Sequence, residues 1–165
     1  MNINDLRTLG ACPAAIRWAE HYATLEVAWQ VCSRADWMLW LAAKYIGKRG
    51  SAGHRKLVLA TCACARTALH HVNEGEERPR IAIETTEAWA RGDATIEDVR
   101  AAAAAAYAAY GDAYGYAAAA AYAAYAAYAN AAAAAYAAYA AYATVRADIV
   151  RTFYPHLSDV QGASQ

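Results

Sequence analysis

A tandem repeat of alanine and tyrosine constrains the fold of this chain more than any other feature. Residues 117–130 read AAAAAYAAYAAYAN and residues 131–144 read AAAAAYAAYAAYAT, so a fourteen-residue unit recurs with only its last residue changed. Alanine is the strongest helix former, and no proline interrupts the repeat. The repeat therefore predicts a long alanine- and tyrosine-rich helix, which opens at a capping box of Thr95 with Asp98 and ends before Pro155.

The tyrosines of the repeat fall on one side of such a helix. At about 100° per residue, tyrosines three residues apart step back by about 60°, and the set occupies a sector roughly 160° wide. Asp112 and Asn130 fall on the opposite, alanine-rich face, where burial without partners is costly. We therefore expect the tyrosine stripe to pack, either against the rest of the chain or in self-association with another copy. The stripe consists of Tyr122, Tyr125, Tyr128, Tyr136, Tyr139 and Tyr142.

The length of this helix raises a question about the path of the chain. A helix from Ile96 to Tyr154 would be roughly 90 Å long, whereas a compact chain of this size is about 40 Å across. The helix must fold back as a hairpin or project as a stalk. Gly111 and Gly115 mark its weakest point, because glycine costs up to about 1 kcal/mol in a helix. We favour a break or kink there, and the sequence leaves open whether the chain reverses.

The rest of the chain predicts short helices joined by short loops. No segment alternates with period two, so the fold class is all-α: a bundle of short helices followed by the long helix or helical hairpin. We expect three regions: a compact bundle at 1–94, the repeat region at 95–155 packing on it or projecting from it, and a frayed tail at 156–165. Proline, glycine and capping residues place the short helices at 4–9, 13–22, 25–32, 34–46, 54–72 and 79–91.

Composition excludes several classes of partner. Lysine plus arginine and aspartate plus glutamate number 15 each, so no net field favours nucleic acid or an acidic membrane. The uncharged stretch at 113–145 is long enough to span a bilayer, but alanine and tyrosine do not drive insertion. The N-terminus does not resemble an export signal, so we expect a cytoplasmic protein with reduced cysteines.

The cysteines and carboxylates do not predict a catalytic or metal site. Cys62 and Cys64 would lie about 200° apart on one helix, and no C-x-x-C pair exists. The four cysteines are interpreted as buried apolar fillers. Glu84 and Glu87 share a helix face, yet no motif supports acid–base chemistry. We therefore expect no metal, no cofactor and no enzymatic activity.

Two groups of residues are candidates for binding. The segment with Arg34, Asp36, Trp37 and Trp40 places an aromatic flank beside a charge pair, which is either core packing or a recognition patch. The second group mixes both charges over two predicted helices, and is either a salt-bridged surface or part of a polar binding cleft. Its members are Arg66, Arg78, Arg80, Glu84, Glu87 and Trp89.

Five motifs give the chain a distinctive linear signature: LGACPAAIRWA, TLEVAWQVCSRADWMLWLA, RKLVLATCACARTAL, ERPRIAIETTEAWARGDAT and ADIVRTFYP. With an alanine-rich stretch before the last motif, this signature resembles the immunity-protein-like family found in bacteria, near polymorphic toxin systems, and in phage genomes. The resemblance covers nearly the whole chain. It implies a cytosolic α-helical protein that neutralises a toxin by binding it.

These observations leave three functional hypotheses. The first is a non-catalytic binding protein of immunity or phage counter-defence type, which neutralises a toxin or defence component. The second is an oligomer that sequesters a small, nucleotide-like ligand in a pocket of arginines and aromatic residues. The third is a structural protein that self-assembles through the tyrosine stripe into a homo-oligomer.

Overall fold

A computed structural model of the protein describes residues 1–67, 69, 72, 74–112 and 147–162. Within these ranges every regular element is a helix, which confirms the all-α class. The described helices are α1 Ile3–Thr8, α2 Pro13–Ala19, α3 Leu25–Val31, α4 Ala35–Ala43, α5 Ala52–Arg66, α6 Arg78–Arg91, α7 Ile96–Asp112, α8 Ala147–Phe153 and α9 Leu157–Gly162.

The repeat region at 95–155 is described only at its two ends, as helix α7 and as the stretch from Ala147 onward that holds helix α8. Helix α7 opens at the predicted capping box, where the Asp98 carboxylate accepts from the backbone N–H of Thr95 at 2.8 Å and the Thr95 hydroxyl accepts from that of Asp98 at 3.2 Å. The whole six-tyrosine stripe and Gly115 lie outside the described residues. The long helix, its hairpin alternative and a reversal at Gly111–Gly115 therefore stay predictions.

Local signals place several helix ends where the sequence predicts them. The Thr24 hydroxyl accepts from the backbone N–H of Val27 at 3.2 Å and caps α3. Gly92 ends α6 in the left-handed conformation with φ of 97°, a region that residues with a Cβ rarely adopt.

Several predicted boundaries differ from the structure, and helices α2 and α4 end at Ala19 and Ala43, three residues before their predicted ends. The sequence also predicts a capping box of Ser33 with Asp36 at the start of α4. In the structure Asp36 pairs with Arg34 instead, and the helix begins at Ala35 without a side-chain cap. Helix α5 ends at Arg66 rather than at residue 72. Its last turn closes where the Thr67 hydroxyl donates to the Cys64 carbonyl at 2.7 Å.

Helix α5 is the centre of the core. Leu57, Val58, Ala60 and Cys62 on this helix have no exposed surface. Helices α4, α6 and α8 pack around it, and α7 packs on the far side of α6. Small side chains such as Ala82 and Ala106 meet between α6 and α7, which lets the two helix backbones approach closely.

The C-terminal helices return to this core. Helix α8 packs on α4 and α5, and α9 packs on α3 and α4. The sequence predicts a frayed tail over 156–165, whereas the structure has helix α9 through Gly162, because Leu157 and Val160 are buried among the first helices. Within the described ranges, none of the helices combines the length and the apolarity that a bilayer crossing requires.

Candidate binding cavity

A cavity of about 620 Å³ lies between helices α2, α3 and α4. All of its lining residues except Leu6 and Leu157 lie between Gly10 and Leu41, so two short stretches of chain build almost the whole site. Its lining is mostly apolar, and the exposed residues Cys12 and Arg34 mark where it meets solvent. Ligand sites for small molecules are typically concave, mostly apolar and of this size.

Tryptophans dominate the walls. Four of the five tryptophans of the chain line the cavity: Trp18, Trp29, Trp37 and Trp40. The rings of Trp18 and Trp37 lie 5.7 Å apart between centroids, within the range of favourable aromatic pairs. Trp29 is buried, and its indole N–H donates to the Tyr154 carbonyl at 3.0 Å. Because this N–H is already hydrogen-bonded within the protein, Trp29 contributes apolar surface to the cavity.

An ion pair lies at the edge of the cavity. The Arg34 guanidinium donates from Nε to Asp36 Oδ1 at 2.8 Å and from Nη2 to Asp36 Oδ2 at 2.5 Å. This bidentate geometry raises the pKa of the Arg34 guanidinium, with the Asp36 hydrogen bonds as the main cause. The same guanidinium stacks 4.4 Å from the ring centre of Trp37. Arg34, Asp36 and Trp37 thus form one connected unit.

Two cysteines line the cavity and differ in exposure. Cys12 is exposed at the start of α2, where its sulfur accepts from the backbone N–H of Ala15 at 3.4 Å. Cys32 is buried, and desolvation raises the pKa of its thiol. Burial also raises the pKa of Cys62, and that of Cys64 to about 12. The prediction of buried thiols is confirmed for these three and is wrong for Cys12, which belongs to the loop that caps α2.

The structure therefore brings the first candidate group together at one site. Arg34, Asp36, Trp37 and Trp40 all line the cavity. Sequence reasoning missed their neighbours Cys12, Trp18 and Trp29. The crowding of four tryptophans into the first forty residues was the available signal, but it does not say which rings share a cavity.

The second candidate group lies elsewhere, on α5 and α6. Arg66 holds Glu87 in a bidentate pair at 2.7 and 2.8 Å, and Arg80 reaches Glu84 at 2.8 Å. Arg78 pairs with Glu76 just before α6. Most of these side chains are well exposed, so solvent screens the ion pairs and each adds little to stability. None of the group lines the cavity, and the arrangement is that of a salt-bridged surface.

Trp89, the remaining member of that group, packs against α5. Its ring lies 5.6 Å from that of His54 in an edge-on arrangement and 5.5 Å from the Arg55 guanidinium. Arg55 also donates to the carbonyls of Gly50 and Ala90, so this contact joins α5 to α6. The contacts of Trp89 are those of a packing residue.

The fold and site define an all-helical protein with a tryptophan-lined cavity. In the part of the chain that the structure describes, no three His, Cys, Asp or Glu side chains are grouped so as to hold a metal ion. No protein-family model, curated protein or solved structure matches this chain. The resemblance to the immunity-protein-like family therefore stays a prediction.

Proposed function

We propose that this protein acts by binding rather than by catalysis, and that the tryptophan-lined cavity holds a small molecule. The observation that carries the proposal is the concentration of Trp18, Trp29, Trp37 and Trp40 around one cavity of about 620 Å³. Aromatic walls with a few placed polar groups are typical of small-molecule sites. Small-molecule sequestration is also the second hypothesis from sequence, but that hypothesis expects a nucleotide-like ligand and an oligomer, whereas this cavity lies within one chain.

The motifs that carry the family resemblance also build this site. The segments LGACPAAIRWA and TLEVAWQVCSRADWMLWLA contain every lining residue except Leu6 and Leu157. Buried core positions need apolar residues of suitable volume, whereas an ion pair beside half-buried tryptophans is not needed to fill a core. The concentration of distinctive residues in these two motifs therefore supports a role in binding.

Protection of Cys12 tests the proposal. Cys12 is the exposed thiol of the chain and lines the cavity, so an occupant should slow its alkylation by iodoacetamide. The rate would be measured with the dialysable and the non-dialysable fractions of a bacterial extract. Ala15→Phe narrows the cavity, and Ala14→Phe is the matched control, since Ala14 is exposed and does not line it.

The proposal expects the dialysable fraction to slow alkylation in the wild type and in Ala14→Phe but not in Ala15→Phe. Equal rates with and without that fraction in the wild type would overturn it. Protection by the non-dialysable fraction alone would also overturn it and would favour a macromolecular partner.

A second candidate is the capture of a protein toxin or defence component, as the family resemblance implies. It is favoured by the exposure of Arg34 beside Trp37 at the edge of the cavity, since arginine and tryptophan are enriched at interface hot spots. This candidate expects wild-type protein to rescue growth of bacteria that express the toxin. A variant with Arg34→Ala and Trp37→Ala should fail to rescue while staying folded. Rescue by that variant would exclude this surface.

A further inference from the structure

We infer that the cavity selects an uncharged, aromatic small molecule and discriminates against both anions and cations. This inference rests on the proposed function, because it names the class of ligand that the same cavity takes. It differs from the nucleotide-like ligand expected from sequence. The argument comes from the charges around the site and from the partners they already have.

The charge that could attract an anion in the described lining already has a carboxylate partner. Among the described residues that line the cavity, Arg34 is the only cation, and both of its hydrogen-bonded nitrogens reach Asp36. A phosphate or carboxylate would have to displace the Asp36 carboxylate or lie beside it, and either costs electrostatic energy in a partly desolvated site. A nucleotide, with its negative phosphates, is therefore a poor match.

Arg151 is a second cation near the wall, and it too has hydrogen-bond partners. Arg151 lies behind Cys32 and Met38, with Nη1 at 2.9 Å from the Cys32 carbonyl and 3.3 Å from the Trp29 carbonyl. This guanidinium satisfies the C-terminal end of α3, where orphan carbonyls attract positive charge. Its Nη1 therefore has backbone acceptors within the protein.

Cations are disfavoured for a different reason. A cage of tryptophans can bind a cation through ring faces, but here the protein supplies its own. Arg34 lies 4.4 Å from the ring centre of Trp37, and the Lys44 ammonium lies 4.9 Å from that of Trp40. A cationic ligand would meet like charges at two of the rings, and the carboxylate in the lining, that of Asp36, is already paired with Arg34.

The cavity offers an uncharged ligand apolar and aromatic contacts. Trp29 presents apolar ring surface, Trp18 and Trp37 form a tilted pair, and Met38 adds an adaptable side chain to the wall. Offset or edge-on packing against such rings favours a flat aromatic molecule over an aliphatic one of equal volume.

Two probes that differ by one charged group test the inference. N-phenyl-1-naphthylamine is neutral, and 8-anilino-1-naphthalenesulfonate has the same skeleton with a sulfonate added. Binding would be followed by probe fluorescence and by protection of Cys12 from iodoacetamide. We expect one neutral probe per chain, and we expect the sulfonate to bind at least about tenfold more weakly. Adenosine monophosphate should not displace the neutral probe.

Displacement of the neutral probe by three indole compounds extends the test to cationic ligands. Indole-3-ethanol, indole-3-acetate and tryptamine share one ring system and are neutral, anionic and cationic at pH 7. Displacement of N-phenyl-1-naphthylamine should be strongest with the neutral compound. Ala15→Phe should lose probe binding and Ala14→Phe should keep it. Because Cys12 protection is measured on the wild type, the test does not depend on the folding of either variant.

A variant of Asp36 tests whether charge, rather than general hydrophobicity, causes the preference for the neutral probe. Asp36→Asn removes the carboxylate that neutralises Arg34, so binding of the sulfonate should strengthen by about tenfold relative to the neutral probe. Asp93→Asn is the matched control, since it removes one exposed carboxylate outside the cavity. An unchanged ratio in Asp36→Asn would contradict the charge argument.

The outcomes distinguish the two proposals. If the sulfonate or tryptamine binds as tightly as its neutral counterpart, or if adenosine monophosphate displaces the neutral probe, and that charged compound protects Cys12, the ligand class is wrong and the proposed function stands. If no probe protects Cys12, and the wild type and Ala15→Phe behave alike, the cavity does not bind small molecules and both proposals fail.

Discussion

Trp29 and Tyr154 are 125 residues apart and are joined by a hydrogen bond of 3.0 Å from the indole Nε1 to the backbone carbonyl. The bond connects a wall of the cavity to the residue that directly follows helix α8. Gln30, the next residue of α3, reaches the Pro155 carbonyl at 2.6 Å. The C-terminal helices are therefore part of the structure that positions α3, and hence the cavity.

Arg151 is the first residue at which this connection can be tested. Its Nη1 donates to the carbonyls of Cys32 and Trp29 at the end of α3. Arg151→Ala should lower the free energy of unfolding by about 2 kcal/mol, since hydrogen bonds from charged groups contribute more than neutral ones. Urea denaturation followed by circular dichroism measures this change. Arg91→Ala, at an exposed pair, is the control and should cost less than about 1 kcal/mol. Equal losses in both variants would contradict the assigned role.

Tyr154 carries a buried hydroxyl without a hydrogen-bond partner among the described residues. Burial raises the pKa of this phenol. Tyr154→Phe removes the unsatisfied group and keeps both the ring and the carbonyl that Trp29 uses, so stability should be unchanged or higher by up to about 1 kcal/mol. Tyr154→Ala should cost about 3–5 kcal/mol by analogy with other aromatic truncations. A marked loss of thermal stability in Tyr154→Phe would show that the hydroxyl has a partner.

Glu26 makes stability depend on pH. The side-chain hydrogen bond from Gln30 is the main cause that lowers its pKa below 4.5, with further contributions from the Leu157 N–H and from His156. A carboxyl whose pKa is depressed in the folded state stabilises the fold above its unfolded pKa and loses that contribution as pH falls through the folded value. Stability should therefore decline below pH 4.5.

Glu26→Gln tests this assignment. Its acid decline in thermal unfolding should be shallower than that of the wild type, by less than about 1 kcal/mol because the side chain is partly exposed. Glu97→Gln, on the exposed surface of α7, is the control. Identical pH profiles for the wild type and Glu26→Gln would refute the role of Glu26.

The four thiols should react at two rates. Cys12 is exposed, whereas Cys32, Cys62 and Cys64 are buried with raised pKa values. Because the thiolate is the reactive form, one thiol per folded chain should react quickly with 5,5′-dithiobis(2-nitrobenzoate), and all four should react in denaturant. Cys12→Ser should abolish the fast phase. A fast phase of more than one thiol would show that the core opens readily.

Self-association is one of the two packing arrangements that the sequence allows for the tyrosine stripe. Light scattering should report an oligomer for the wild type and a monomer for a variant with Tyr122, Tyr125, Tyr136 and Tyr139 changed to alanine. Tyr116→Ala, off the stripe by helical register, should leave the mass unchanged. If the wild type is monomeric, the stripe is not an assembly surface. Unfolding of the four-tyrosine variant would instead assign the stripe to the core.

Much of the helical structure is predictable because its signals are local. Thr24, Gly92 and the pair of Thr95 with Asp98 end or begin helices through hydrogen bonds or backbone conformations within a few residues. The local prediction fails where another contact competes. Asp36 pairs with Arg34 and so does not form the predicted capping box with Ser33. Local signals also fail for the tail that the sequence predicts to be frayed. A helix as short as α9 is stabilised by its contacts with distant helices, which the local sequence does not report.

The sequence by itself determined the helical class, the main helix boundaries and the candidate segment from Arg34 to Trp40, because propensity, capping and side-chain spacing act over a few residues. Only the tertiary structure decided that this segment faces Trp18 and Trp29 across a cavity. It also decided that the chain after the repeat returns to support α3. Those relationships depend on contacts between residues far apart in the chain, and periodicity along one helix carries no information about which distant helix will pack against it.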